Sequence, residues 1–375
     1  MKKRLLPLAF IFIILSITVT TYLGSPVAFG ENVLHNLGHP TIMAEHLERY
    51  FRQNLSFKEP LRSLNLALRT ACGNLEKDGI FFTDDGLVSH FIPTTDSTVH
   101  RKNTREIVSF TKRSKPPAAV MLLPTASAIY QDKLPPFASR IQMNQHFFIE
   151  ETNKVFSGSA MAIDIYPALF SGRKEYLYSR TDKDLASSGG FLVYEALARR
   201  LGIVPKIRQD FRLQFLQAPY YGSLYDAWGY GGVKGDNVTA YHYTGAANFF
   251  TVHHWLRYED KIYHSLYPSE AASDGNVRNV VLGGRSPIIT ITNSSLSPTA
   301  GKLLIFGDSN VMSFLPFLAY HYREITFADP TLLTDSELAR INPNSYSQVL
   351  FTFSLETYMN TVEPSRAAML PTAVP

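Results

Sequence analysis

Ala118-Ala-Val-Met-Leu-Leu123 constrains this chain more than any other segment. A strand with one wet face alternates apolar and polar residues. A continuous apolar run this short reads as a strand covered on both faces, the situation inside a parallel sheet. Lys302-Leu-Leu-Ile-Phe306, Glu324-Ile-Thr-Phe-Ala328 and residues 347–354 (SQVLFTFS) have the same character, and residues 160–166 (AMAIDIY) and 175–179 (EYLYS) read as further strands. Helical patterns stand between them. In SSGGFLVYEALARRLG, Ser187 or Ser188 can cap a helix, Leu192, Ala196 and Arg199 keep its register, and Gly202 closes it. Strands alternating with helices imply an α/β fold, a mostly parallel sheet with helices on both faces.

Outside this core the signals are mixed. Residues 41–72 read as helix, with Met43, Leu47, Tyr50 and Phe51 on one stripe and Leu61, Leu64, Leu68 and Cys72 continuing it beyond Pro60. That placement makes Cys72, the single cysteine, a small buried hydrophobe, and one cysteine allows no internal disulfide. "KDGIFFTDDGLVSHF" reads as a β-hairpin turning at Asp84-Asp85-Gly86, and "TTDSTVHRKNTRE" after it as a polar loop. Residues 205–300 are rich in Gly, Tyr and Asn and read as long loops, whose aromatic residues suit either sugar stacking or loop packing.

The N-terminus carries a charge signal. Met-Lys-Lys-Arg precedes a charge-free run from Leu5 to Gly24, as expected for a membrane anchor with the rest of the protein outside the cytoplasm, or for a signal peptide cleaved near Ala28-Phe29-Gly30. Net charge is +4. Lys2, Lys3 and Arg4 supply three of these charges, so the remainder is nearly neutral and nucleic acid is not an expected partner. The expected divisions are an anchor or signal over 1–30, a helical and hairpin extension over 40–110, an α/β domain over 111–360 and a disordered tail over 361–375.

Gly307-Asp308-Ser309 follows one of the buried strands and precedes an apolar, helix-like segment. Gly307 permits a tight exit, and a serine there lies at the carboxyl edge of the sheet, where α/β proteins place ligands. Free backbone N–H groups around Asp308 and Asn310 could hold an oxyanion beside a Ser309 nucleophile. "KLLIFGDSNVMSFLPFLAYHYREI" resembles the C-terminal signature of the DHHW family, and "LYSRTDKDLASSGGFLVYEAL" stands where that family carries its name-giving motif, usually RTDHHWTxxGA. "HLERYFRQNLSFKEPLRSLNLAL", "DGIFFTDDGLV" and "VLGGRSPIITI" resemble its other blocks, so the resemblance runs from about residue 40 to 355.

The resemblance implies a three-layer fold like that of SGNH hydrolases, flavodoxin-like in topology, in a bacterial exported protein similar to alginate O-acetylation proteins. It implies work on a cell-envelope polysaccharide together with a membrane-bound O-acyltransferase, without cofactor or metal. Carried over position by position, Ser309 is the nucleophile and Asp182 the motif's aspartate. Lys183 and Asp184 take the two histidine positions, and Leu185 the tryptophan. Asp184 thus stands where the general base is expected. A carboxylate has an ordinary pKa near ~3.9 against ~6.5 for imidazole, and it cannot meet serine and aspartate through opposite ring nitrogens. Two functions are therefore open: acyl transfer or ester hydrolysis at Ser309, or a silent relative that binds glycan or scaffolds an acetylation complex. Lys183 is expected to pair with one of the two carboxylates. His253 and His254 sit side by side on a predicted strand and face opposite ways, so no metal pair is expected there, and His321 reads as structural. Asn237-Val-Thr and Asn293-Ser-Ser match glycosylation sequons, and Asp329-Pro330 reads as a turn.

Overall fold

The computed structural model describes residues 2–24, 55–89, 91, 97–216, 219–229, 231–255, 260–272 and 276–370. The chain forms two compact units, residues 1–74 with 229–232, and residues 75–228 with 233–375. The small unit contains the helices Lys2–Gly24 and Lys58–Ala71. Part of the first helix's side chains lie outside the description, and among the described residues no helix is long and apolar enough to cross a membrane. The stripe at 43–51 also lies outside them. Cys72 caps the second helix and is exposed rather than buried, because Leu61, Leu64 and Leu68 on the same side are exposed too.

Among the described residues the large unit has thirteen strands: β1 Glu76–Lys77, β2 Ile80–Thr83, β3 Gly86–Ser89, β4 Ala118–Leu123, β5 Met161–Ile163, β6 Phe211–Phe215, β7 Thr239–Tyr243, β8 Phe250–Trp255, β9 Lys261–Tyr263, β10 Ile288–Asn293, β11 Lys302–Gly307, β12 Glu324–Ala328 and β13 Gln348–Ser354. Eight of them form the central sheet in the order β5-β4-β13-β11-β12-β10-β8-β9. Pairing is parallel from β5 through β12 and antiparallel from there to β9. The expected mostly parallel sheet is present, with an antiparallel flank in which β8 is the strand expected around His253 and His254 and β10 comes from residues read as loops.

The apolar run of β4 divides between two cores. Ala119, Met121 and Leu123 face a layer holding the helix Ser187–Arg200, through Phe191, Tyr194 and Leu197, together with Phe314 and Phe317. Ala118, Val120 and Leu122 face the opposite layer, with Ile107, Phe110, Ile149, Tyr358 and Met359. Helices on both faces give three layers. All six β4 residues are buried, so none could have been polar without cost.

Several expectations need correction. Residues 175–179 are not a strand; only an isolated bridge links Tyr178 to Leu185. The supposed polar loop is largely the helix Thr98–Arg113. Its polar residues have partners in the supposed tail. The buried Asn103 donates from Nδ2 to the carbonyls of Tyr358 (2.7 Å) and Thr361 (2.8 Å) and accepts from the Ser365 N–H (3.0 Å). Arg113 donates to the Ala368 carbonyl at 2.6 Å. The tail accordingly forms the helix Glu363–Ala368 with Ala367, Ala368 and Leu370 in the core; residues 371–375 lie outside the description. The hairpin β2–β3 packs Phe81 and Val88 on Leu134 and Ala138, so it and the helix Thr98–Arg113 belong to the large unit and not to a separate extension. Ala186, not a serine, caps the helix Ser187–Arg200, and the Ser188 hydroxyl donates instead to the Tyr176 carbonyl.

Candidate active site at the carboxyl edge of the sheet

Ser309 leaves β11 on a turn that the sequence builds closely. A Cβ at Gly307 would lie 2.5 Å from the Thr352 carbonyl oxygen and 2.5 Å from a Val311 methyl, so glycine is required by contact rather than by an unusual φ. Asp308 accepts from the N–H (3.1 Å) and Nδ2 (3.2 Å) of Asn310 through one oxygen, and from the Ser354 N–H (2.7 Å) through the other. It therefore pins the end of β11 to the end of β13. Asn310 in turn accepts from the Leu185 N–H at 3.0 Å, joining this turn to the 182–185 loop. Asn310 spends its backbone N–H inside the turn, so that donor is not available to an oxyanion. Gly307, Asp308 and Asn310 are turn builders. A helix does not start at Ser309; a 3₁₀ turn, Ser309–Ser313, does.

The Ser309 hydroxyl donates to Asp184 Oδ1 at 2.7 Å. Asp184 Oδ2 accepts from Arg278 Nη2 at 2.6 Å, and Arg278 Nη1 donates to Asp182 Oδ2. Asp182 Oδ1 accepts from the Ser223 hydroxyl (2.8 Å) and the Lys183 N–H (2.9 Å). The result is a continuous line, Asp182–Arg278–Asp184–Ser309. Residues 182, 184 and 309 are thus gathered, with an arginine spanning the two carboxylates. The Asp182 and Asp184 side chains are 10% and 13% exposed and Arg278 is 35% exposed, so this is a half-sheltered ion triad and not a surface pair. Burial alone would make the guanidinium easier to deprotonate. Asp184, Tyr220 and Asp182 overcome that, and its pKa moves up from an already high value. The Tyr220 ring lies 5.2 Å from the same guanidinium, and burial pushes its phenol up to about 12.

The 180–184 loop holds its shape without being a strand. Asp236, fully buried, accepts from the backbone N–H groups of Arg180 (2.6 Å) and Thr181 (2.8 Å) and from the hydroxyls of Thr181 and Tyr176. The Thr181 hydroxyl also accepts from the Gly222 N–H at 3.0 Å, which brings Ser223 to Asp182. Lys183 turns away from both aspartates and pairs with Glu356 at 2.6 Å, so the expected link to a neighbouring carboxylate is not made. His254 Nε2 donates to the Leu282 carbonyl (2.6 Å), and the Tyr194 hydroxyl meets His321 Nε2 (2.8 Å). Neither histidine lines the cleft around Ser309, and neither does His253. Asp329 is buried against Arg285 and Thr331 in a turn. Among the described residues no group of His, Cys, Asp and Glu side chains is arranged to hold a metal ion.

Arg278, Ser223 and Asp236 were not singled out in the sequence. Asn276, two residues before Arg278, carries a local signal: its side chain accepts from the Arg278 N–H at 3.1 Å and caps a short 3₁₀ turn. Nothing local shows that the arginine ends between two aspartates 94 and 96 residues away. Of the loop aromatics, Trp228 is packing, buried and stacked on Phe82. Tyr220 and Tyr221 line a cleft of about 940 Å³ with Asn237, Thr239 and Ser309.

A three-layer sheet with its serine turn at this edge has solved counterparts. A DHHW family protein from Eubacterium siraeum superposes with a TM-score of 0.63 at 19% identity, over 79% of this chain and 97% of that one. The chain has the DHHW-type fold. PatB1 of Bacillus cereus, solved with a sulfonyl adduct, shares that fold with a TM-score of 0.58 at 17% identity, over 76% of this chain and 97% of its own. No family model matches the sequence, and no curated protein does. Within the DHHW-type fold, Asp184 and Arg278 together occupy the space between the Asp182 and Ser309 side chains.

Proposed function

We propose that this protein handles acetyl esters of a cell-envelope polysaccharide outside the cytoplasm, using Ser309 as the acyl-accepting oxygen and Asp184 as its proton acceptor. The observation that carries this is the 2.7 Å Ser309–Asp184 hydrogen bond at the wall of an open cleft bordered by Tyr220, Tyr221, Asn237 and Thr239. Such a rim suits sugar rings, which combine apolar faces with hydroxyl edges. The location outside the cytoplasm, by anchor or cleaved signal, rests on the charge-free run behind Met1–Arg4, and a membrane-bound O-acyltransferase is the partner the family resemblance implies.

As Ser309 attacks an ester carbonyl, its proton passes to Asp184. Arg278 keeps Asp184 oriented, and Asp182 and Ser223 keep Arg278 oriented. A carboxylate is by its ordinary pKa a weaker general base at neutral pH than an imidazole. General-base catalysis contributes about 10²–10⁴-fold when the base is matched to the pH, and much of that is forfeited here. Turnover is therefore slow, and single-turnover measurements are the suitable test. The full chain is treated with an arylsulfonyl fluoride and, separately, with an activated acetyl ester, and modification is located by mass spectrometry. Modification at Ser309 that Ser309→Ala abolishes supports the proposal. An unmodified Ser309 after prolonged exposure to both reagents overturns it. A second reading, glycan binding without chemistry, draws on Arg278 occupying the second oxygen of Asp184. It predicts that oligosaccharide binding survives Ser309→Ala unchanged and that no adduct forms.

A further inference from the structure

The helix Lys58–Ala71 shows its apolar side outward. At 3.6 residues per turn, Leu61, Leu64, Leu68 and Cys72 fall within a sector of about 80°. Such a stripe is ordinarily the buried face of a helix. Here all four residues are exposed, the leucines by 42–60%. Arg62, Leu66 and Arg69 lie on the other side, and these are the residues that are covered. Leu66 is buried and both arginines are half-buried. A Cβ at Gly232 would collide with a Leu66 methyl, so this side packs on the 229–232 segment of the same unit. The helix rests on its own unit by the side that carries the arginines and offers the leucines to its surroundings.

The entry to the helix is unfavourable in water too. Phe57 stands at the N-cap in the left-handed region, φ 62° and ψ 18°, where a bulky side chain is strained. Its ring is 60% exposed. Water offers nothing that offsets this arrangement, whereas an apolar phase around the ring does. The residue before it indicates which phase. The Ser56 N–H donates to the Thr21 hydroxyl at 3.0 Å. Thr21 lies in the last turn of the helix Lys2–Gly24, at the end of the charge-free run remote from Met1–Arg4. With that run taken up by a bilayer and its basic end inside, Thr21 and the start of Lys58–Ala71 emerge together at the outer surface.

We propose that Lys58–Ala71 lies in the outer surface of the membrane, with Phe57, Leu61, Leu64, Leu68 and Cys72 at the boundary between headgroups and acyl chains. This rests on the location proposed above, with Leu5–Gly24 kept as an anchor; it is independent of the chemistry at Ser309. The bond to Thr21 selects lipid over a second copy of the chain, because a stripe meant for protein has no need to start where the anchor ends. A helix held in this way fixes how deep the anchor sits.

Cys72 is the single cysteine, so the stripe carries its own probe. The full chain, labelled at Cys72 with bimane, is reconstituted into vesicles of phosphatidylethanolamine and phosphatidylglycerol, and the membrane-bound fraction is recovered by flotation. Lipids bearing a doxyl group near the headgroup should quench the label. Iodide, present on both sides of the membrane, should quench it at least about 3-fold less than in the double variant Leu64→Glu/Leu68→Glu. Both leucines are exposed, so that variant keeps its packing and should still float. A label untouched by doxyl lipid and open to iodide, in protein that floats, overturns the interfacial helix alone. A label shielded from both quenchers, or shielded increasingly as protein concentration rises, also overturns it, since protein then covers the stripe. Protein that stays in the aqueous fraction overturns the anchor reading and this inference with it. If a label at the C-cap disturbs the helix end, Cys72→Ser with Leu64→Cys moves it to the middle of the stripe, with Leu61→Glu/Leu68→Glu as the reference and the same outcomes.

Discussion

Replacing Arg278 by methionine keeps most of the side chain's length and removes its charge. In the native protein the guanidinium makes charge-assisted hydrogen bonds to Asp182 and Asp184. Leaving buried charged partners unpaired costs roughly 1.5–3 kcal/mol each. Arg278 is 35% exposed, so water can reach the vacated space and the combined loss falls to about 2–4 kcal/mol. At about 2 cal/mol/K per residue, a folding unit of roughly 300 residues loses on the order of 1.6 °C in Tm per kcal/mol, which gives a drop of ~3–6 °C by calorimetry. Reactivity should move the other way. In Arg278→Met no cation competes with the Ser309 hydroxyl for the charge of Asp184, so sulfonylation of Ser309 at pH 7 should accelerate by about 10-fold. A Tm within ~1 °C of the parent would show that the arginine does not carry the carboxylates. An unchanged or slower labelling rate in a folded variant would show that Asp184 does not take the serine proton.

Other consequences can be measured alongside. Asp236→Asn turns an amide donor toward groups that already donate, and should cost about 2–4 kcal/mol and speed amide hydrogen exchange at Arg180 and Thr181. Unchanged exchange there would remove Asp236 as the loop's anchor. A Cβ at Gly190 would lie 2.1 Å from the Ser313 carbonyl oxygen, so Gly190→Ala should displace the turn after Ser309 and slow its labelling even where the protein stays folded. Burial, with Lys206 adding to it, lowers the His321 pKa to about 4. The Lys206 N–H donates to Tyr194, whose hydroxyl then donates to His321 Nε2, and that arrangement needs a neutral ring. Because the folded pKa lies below the unfolded value near 6.5, the unfolded chain binds more protons between these values. Stability conferred by the neutral ring is present above pH 6.5 and falls as pH drops toward 4, by up to roughly 1 kcal/mol per unit. His321→Gln should flatten the dependence of Tm on pH in that window, and an equally steep profile would exclude His321 as its source.

What could be read from the sequence was what a single segment encodes. The doubly buried strands announced themselves because every side chain of β4, and nearly every one of β11 and β13, meets a core. The serine turn was legible for the same reason: Gly307 and Asp308 answer to neighbours a few residues away or on the adjacent strand. Thr98–Arg113 was misread because Asn103 and Arg113 look solvated until the Tyr358, Thr361 and Ala368 carbonyls are placed beside them. A polar residue with a remote backbone partner has no signature in its own neighbourhood. Arg278 is hidden likewise, and with it the fact that Asp184 is held and not free. In the antiparallel flank β10 escaped because its composition is mixed and its residues alternate between buried and half-covered, whereas β8 was legible in the alternation around His253 and His254.

The position of β13 bears on when this protein can become a working molecule. It is the last strand among the described residues, yet it lies between β4 and β11. A nascent chain that has emerged only as far as β12 holds two half-sheets, each with an open edge and nothing to join them. Closure waits for residues 348–354, and the Ser354 N–H that fixes Asp308 arrives with them. Truncated products therefore lack an assembled serine turn. Synthesis must pass residue 354 before Ser309 is in place, which keeps shorter chains chemically silent while leaving them sticky, a burden for whichever chaperone escorts them.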